Sequence, residues 1–317
     1  MDQIKQCEFE KINTCQGKNS GGHVGTIHSI PNGYCAKLDG PGSREFDFYK
    51  DHNEKGFKPL DKFITEFDGY CVDKKLKNKY VVIKNVKDKF EKAWEMDIKI
   101  GLRSANRYEL RDRMGVLTRG LKKYYHNLLD NYFSITGTYG FRVENFSRDK
   151  KYQYLNSKNM QPGHVFRIYF QYDTTGKILK NFIKKIEDFY DIIMEDGFEP
   201  YFMIGSSLLF VYDKNNAANG NYNVDIIMID FNHSSIVDIS NFTPRNKHFL
   251  YVNEYRYGVL TIIKELKHYF IDINPNKSLF TRKPQNSQKV SKKKKDKDYI
   301  INGIKMHNKK FTVKKRF

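Results

Sequence analysis

The six residues Met96-Asp97-Ile98-Lys99-Ile100-Gly101 constrain this chain more than any other stretch. Trp94, Met96, Ile98 and Ile100 alternate with polar residues, and a period of two places all four on one face of a β-strand. Asp97 and Lys99 share the opposite face. Side by side on a buried strand, a carboxylate and an ammonium either form an ion pair or serve as a ribose-binding acid and a phosphate-binding lysine. The pattern alone leaves both readings open. Its weight depends on two later stretches, Gly205-Ser206-Ser207-Leu208-Leu209 and Ile229-Asp230-Phe231.

A folded protein is expected from 317 residues with 39% hydrophobic and 15% aromatic content. No apolar run approaches the length of a membrane-spanning helix, and the opening MDQIKQCEFEK carries charges where a signal peptide needs an apolar segment. The four cysteines (Cys7, Cys15, Cys35, Cys71) contain no C-x-x-C pair, and there is no paired-histidine motif, which argues against structural zinc. A reducing intracellular setting, cytoplasm or nucleus, and a monomer are expected. The net charge is +19, but residues 282–317 hold fourteen Lys or Arg against two Asp, a net +12, so the remainder carries +7. The tail suits nucleic acid, acidic lipid or an import receptor, and the residual charge favours an anionic ligand for the folded part.

Along the chain, residues 1–20 read as a polar extension. Ser20-Gly21-Gly22-His23, the turn Pro31-Asn32-Gly33 and the strand Tyr34–Leu38 form a glycine-bearing hairpin with Lys37 on its second strand. Ser43-Arg44-Glu45 has helix-start chemistry with Ser43 as N-cap, and Glu45 is a candidate partner for Lys37. Strands are expected from Phe63 to Val72 and over Tyr80–Ile83, followed by Lys84-Asn85-Val86. Residues 107–132 have helical spacing, with Arg107 and Arg111 on one face. Guanidinium groups there suit clustered phosphates, although a solvated basic face is the plainer reading. Turn and strand over Gly137–Val143, a helix over His164–Tyr172 and an amphipathic helix over residues 177–195 come next. One strand spans Tyr201–Tyr212 and pairs as a hairpin with Val224–Phe231. Asp230, at the end of that apolar strand, needs a hydrogen bond or a cation. A helix at about 250–270 closes the core, and the tail from Asn274 reads as flexible.

Three stretches, Met96–Gly101, Gly205–Asp213 and Met228-Ile-Asp-Phe-Asn-His-Ser234, resemble the inositol polyphosphate kinase family with its P-x-x-x-D-x-K-x-G, S-S-L-L and I-D-F-A-H patterns. The resemblance extends to Gly21-Gly22-His23, Lys37, Ser43-Arg44-Glu45, Asn85-Val86 and Tyr257-Gly258, so it covers about residues 20–270. It implies an α+β fold of two lobes related to protein kinases, with antiparallel sheets in both and ATP between them. The expected division is an N-lobe over residues 21–84, a C-lobe over 85–273 with an inositol-phosphate-binding segment at about 102–175, and a basic tail over 274–317.

The resemblance also implies roles. Lys37 contacts ATP phosphates and Glu45 orients it. The backbone of Lys84 and Val86 binds adenine, and Asp97 binds the ribose. Lys99 bridges the transferring phosphoryl group and the substrate, Asp230 holds magnesium, and His233 touches inositol phosphate. Arg107 and Arg111 are candidates for the same pocket. Two departures stand out: the proline before D-x-K is absent, and Asn232 replaces the small residue of I-D-F-A-H. Gly21-Gly22-His23 is closest to the hexakisphosphate kinase branch, which makes inositol pyrophosphates. A multikinase or trisphosphate 3-kinase acting on ring hydroxyls is the alternative enzyme. A basic nucleic-acid-binding protein working through its tail is the alternative of another class.

Overall fold

A computed structural model describes residues 5–15, 26–40, 42–102, 135–153, 155–215, 222–243 and 246–274, with two short strands at 298–301 and 304–307. The chain divides after Asn274 into two units. In the second, β11 (Asp298–Ile301) pairs antiparallel with β12 (Ile304–His307), a hairpin in a tail read as flexible. Asn302-Gly303 between them is the dipeptide that two-residue hairpin turns favour.

The first unit has two lobes, each built on a four-stranded antiparallel sheet. In the N-lobe the strand order is β1 (Ile27–Ile30), β2 (Tyr34–Leu38), β4 (Lys79–Lys84), β3 (Phe67–Val72). Asn32 and Gly33 turn the first hairpin with positive φ of 66° and 72°. Helix α1 (Glu45–Lys55) follows that hairpin, and a 3₁₀ turn over Lys58–Phe63 occupies the start of the expected strand from Phe63.

In the C-lobe the order is β6 (Phe141–Phe146), β5 (Ala93–Ile100), β8 (Ser207–Asp213), β9 (Val224–Ile229). The alternation read from the sequence is present: Trp94, Met96, Ile98 and Ile100 are buried while Glu95, Asp97 and Lys99 are partly exposed. The apolar face is covered by α3 (Pro162–Tyr169) and α4 (Lys177–Ile193). The Tyr169 hydroxyl donates to the carbonyls of Trp94 and Phe210, both at 3.0 Å, and Phe182 lies 5.2 Å from the Phe210 ring. Helices α2 (Ile135–Tyr139) and α5 (Lys247–Ile273) complete the described helices of this lobe. The helix expected over 107–132 lies outside the described residues. Among the described residues, no helix is long and apolar enough to cross a membrane.

Two expectations are corrected. Tyr201–Tyr212 is not one strand: β7 (Tyr201–Phe202) pairs with β10 (Ser235–Ile236), and β8 begins afresh at Ser207. Gly205, with φ 69°, makes the break. It frees Ser207 to pair with Lys99 of β5. The cysteines are also not the free thiols a reducing setting implied: Cys7 bonds Cys71 and Cys15 bonds Cys35. Their irregular spacing concealed partners that the fold brings together. Residues 5–15 consequently lie against the N-lobe sheet, with Cys7 and Val72 joined by a backbone hydrogen bond of 3.2 Å.

The Tyr257-Gly258 pair has a packing explanation. A methyl group on Gly258 would stand 2.4 Å from the carbonyl oxygen of Gly140, the residue leading into β6. We expect Gly258→Ala to destabilise the protein by about 1–3 kcal/mol, the usual penalty for overpacking. Urea unfolding measures this, and an unchanged midpoint would contradict the close approach.

Candidate active site

The polar face of β5 is the floor of a cleft beneath the N-lobe sheet. Register sets its rows: Lys99 lies between Arg142 of β6 and Ser207 of β8, and Asp97 lies beside Leu209. Above it, Lys37 projects from β2 into the same cleft. Its Nζ is 2.9 Å from Glu45 Oε2 on α1 and 2.5 Å from Asp230 Oδ1 at the end of β9. One ammonium thus joins three segments far apart in sequence. Asp230 has φ 62°, a left-handed conformation that ends β9.

The turn after Asp230 is tied to the start of α1. Phe231 is fully buried and stacks on Phe48 with ring centroids 3.9 Å apart. Its backbone N–H donates to the Glu45 carboxylate. The Asn232 side-chain oxygen accepts from the Ser43 hydroxyl at 2.8 Å, and the Asn232 carbonyl accepts from the Arg44 N–H at 3.0 Å. Ser43 Oγ in turn accepts from the Glu45 N–H at 3.2 Å. Asn232, a departure from the expected small residue, is therefore part of the scaffold that aims Glu45 at Lys37.

Charge in the cleft is unbalanced. Glu45, Asp97 and Asp230 face Lys37 and Lys99, leaving one negative charge in surplus. Burial raises the Glu45 carboxyl against the pull of Lys37. Burial and then the nearby Asp230 push Asp97 up to about 7. Lys37 lowers Asp230, and burial opposes it. Burial alone would lower Lys37, but Asp230 and Glu45 outweigh it and hold the ammonium well above the usual lysine range. Asp97 Oδ1 is sealed from solvent without a hydrogen-bond partner among the described residues, while the Ser207 hydroxyl serves the carboxylate. An unpartnered buried acceptor is costly, in keeping with the raised Asp97 carboxyl.

At the side of the cleft, Asn85 joins the lobes. Its N–H donates to the Gly33 carbonyl at 2.9 Å, and its side-chain amide donates to Asp88 at 2.6 Å. Val86 makes no backbone hydrogen bond among the described residues, as a group meeting an adenine edge requires. The Lys84 carbonyl, read as a second adenine contact, accepts from the Thr65 hydroxyl at 2.8 Å and keeps one lone pair. Leu209, Val211 and Phe90 pack with Val86, Ala93 and Ile229 into an apolar platform beside this hinge. Ala93, in the region where the family carries its proline, is part of that platform.

The sequence reading missed three residues at the other end of the floor. Arg142, paired with Lys99, lies 2.7 Å from Glu144, and Lys158 meets the other oxygen of Glu144 at 2.7 Å. Arg142, Lys158 and Lys99 make a cationic corner with Glu144 as its brace. Burial would raise Glu144, but Arg142 and Lys158 lower it. These are single positions in one strand and one turn, so no run or spacing announces them. His233 is half-buried and near enough to Asp230 to lower its pKa. Arg107, Arg111 and Gly21-Gly22-His23 lie outside the described residues.

For a metal, the described residues offer no group of three or more His, Cys, Asp or Glu that could hold one. Asp230 keeps 42% of its side chain exposed, so Lys37 does not exhaust it. One carboxylate beside a phosphate-binding lysine suits a hard cation shared with ligand phosphates, not an all-protein cage.

Comparison with known proteins places this cleft in context. A sequence profile described as inositol polyphosphate kinase matches residues 80–270. The inositol phosphate multikinase Ipk2 of S. cerevisiae, solved in complex with ADP and Mn2+, superposes with a TM-score of 0.53 at 20% identity, covering 74% of this chain and 98% of that one. A second inositol phosphate multikinase structure gives 0.49 at 14% identity, covering 71% and 98%. No curated protein matches by sequence.

Two outcomes follow from the geometry. Asn232→Ala should lower kcat/KM for the nucleotide about fivefold, the worth of one ordinary hydrogen bond, and Ser43→Ala should cost less in that background than in the native one, because the hydrogen bond the two share is then already gone. Additive losses in steady-state kinetics would separate the two residues. For Asp97, the native carboxyl titrates near 7 while an unfolded one titrates near the ordinary 3.9. Its proton therefore favours the native state, and stability is lost as pH rises through that window. Asp97→Asn should raise the thermal midpoint more at pH 8 than at pH 5. An equal shift at both would show that Asp97 is not buried as a costly charge.

Proposed function

The chain belongs to the inositol polyphosphate kinase family, and from that premise we propose that it transfers the γ-phosphoryl group of ATP to inositol hexakisphosphate, forming an inositol pyrophosphate. The observation that carries the reading is the Lys37–Glu45–Asp230 cluster facing Asp97 and Lys99 across one cleft. Adenine lies on the partly exposed members of the platform, Ala93 and Ile229, with its edge toward Val86. The Asp97 side chain, partly exposed on the floor, takes the ribose. Lys37, held by Glu45, meets the phosphates.

Asp230 would hold magnesium, which supplies charge neutralisation on the transferring phosphoryl group; the yeast multikinase was solved with ADP and Mn2+. Lys99, between Ser207 and Arg142 in register, spans the nucleotide end of the floor and its cationic corner. An acceptor phosphate oxygen attacks the γ-phosphorus, the bond to the bridging oxygen breaks, and ADP leaves. Lys99 draws the two anions together and stabilises charge as it shifts between them.

Support for a phosphate acceptor comes from the corner itself. Among the described residues its one acid, Glu144, is engaged by both Arg142 and Lys158, so it braces cations and is not free to accept a proton. A phosphate is already ionised and needs no base, whereas a ring hydroxyl benefits from one.

Lys99→Ala and Asp230→Ala should each lower turnover by about 10²–10³-fold, as loss of one charge-stabilising group does, with circular dichroism unchanged. Normal turnover in either variant would sink the site assignment. Products formed from ATP, magnesium and inositol hexakisphosphate should include a species more anionic than the substrate. Turnover of only trisphosphate or tetrakisphosphate would redirect the assignment to hydroxyl phosphorylation.

A further inference from the structure

The N-terminal segment does more than extend the N-lobe sheet. Asn13 Nδ2 donates to the Ile27 carbonyl at 2.7 Å, and Thr14 N–H donates to Ser29 Oγ at 2.7 Å, so residues 13–15 run along β1. They end on the hinge. Asn85 Nδ2 donates to Thr14 Oγ1 at 3.3 Å, and Lys87 Nζ donates to the Cys15 carbonyl at 2.6 Å. These contacts flank Val86 on both sides. Lys87 also lies 3.5 Å from Glu95 of β5, which continues the link into the C-lobe floor.

The Cys15–Cys35 disulfide fastens this strap to β2. Cys35 is two residues before Lys37, so both lie on the same face of the strand, and Cys35 pairs with Ile83 of β4 just before the hinge. One covalent bond therefore connects the hinge contacts to the strand that carries the phosphate-binding lysine. Cys7–Cys71 sits elsewhere, where the segment first meets β3.

We propose that Cys15–Cys35 is a redox-responsive clasp on the nucleotide cleft, opened by a cellular monothiol or dithiol, and that its reduction weakens nucleotide binding. The inference rests on the reading that this cleft holds ATP. In the reaction a reductant thiolate attacks one sulfur, the Sγ–Sγ bond breaks, and the other cysteine leaves as a thiolate that takes a proton. A second reductant thiol resolves the mixed disulfide. Two electrons and two protons pass to the cysteine pair, and the reductant becomes a disulfide. Cys15 and Cys35 are only 6% and 4% exposed, so attack requires the strap to lift first. Nucleotide that favours the closed strap lowers the equilibrium population of the open form, and by linkage opening weakens nucleotide binding by the same factor.

The full-length chain, purified without reductant, is titrated with ADP and magnesium before and after dithiothreitol, and alkylated cysteines are mapped by mass spectrometry. ADP affinity should fall about fivefold or more on reduction, within the usual range of coupling between sites. Saturating ADP should slow the exposure of Cys15 and Cys35 to alkylation and leave Cys7 and Cys71 unaffected. The double variant Cys15→Ser/Cys35→Ser should bind ADP like the reduced protein and ignore dithiothreitol, whereas Cys7→Ser/Cys71→Ser should still respond. Equal affinity before and after reduction, or four alkylatable thiols in the untreated protein, would overturn the clasp alone. No ADP binding in the oxidised protein would overturn both the clasp and the nucleotide site.

Discussion

The site depends on a single ammonium. Lys37 comes from the N-lobe sheet, Glu45 from α1 and Asp230 from the end of the C-lobe sheet, and they meet within 2.5–2.9 Å. Glu45 is buried on α1 and leans on the Phe231 N–H as well as on Lys37. Removing Lys37 would leave the buried Glu45 carboxylate without its cation and facing Asp230, which costs more than losing a surface ion pair. The packing around them serves that meeting. Phe231 is stacked on Phe48. The His52 ring lies between Asp61 at 2.9 Å and the Tyr201 hydroxyl at 2.8 Å, so α1 is held to the C-lobe along its length.

The cleft is assembled at the expense of stability. Three carboxylates share two lysines, Asp97 carries an unpartnered oxygen, and Asp230 adopts a left-handed backbone. The surplus carboxylate is unfavourable until a cation joins the site, as a metal carried by ligand phosphates would. The opposite face of the same sheet is apolar, with Tyr169 and Phe182 packed against it. A rigid sheet with one sacrificed face is how this fold holds charged groups at fixed spacing.

Much of this was legible in the sequence because local pattern and position coincide. Alternation from Trp94 to Ile100 announced β5 and placed Asp97 and Lys99 on the cleft side. The apolar run to Ile229 placed Asp230 at a strand end, and family resemblance joined it to Lys37 and Glu45. Features made by tertiary contact alone were not legible. Arg142, Glu144 and Lys158 become a unit only when β6 lies beside β5. Asn232 departs from the motif by sequence alone, and its role comes from the Ser43 hydroxyl packed against it. The cysteine pairing required the N-terminal segment to fold back on β1 and β3. The break at Gly205 shows only in its positive φ of 69°, since apolar residues flank Gly205-Ser206-Ser207 on both sides.

Glu45 acts through Lys37 and not beside it. A double-mutant cycle with Lys37→Met and Glu45→Gln, read as ADP affinity by calorimetry, tests this directly. Coupling predicts that Glu45→Gln weakens binding in the native background but adds almost nothing once Lys37 is replaced. Losses that simply add would mean that Glu45 binds or packs independently, and the three-way ion cluster could no longer be regarded as the organising element of the site.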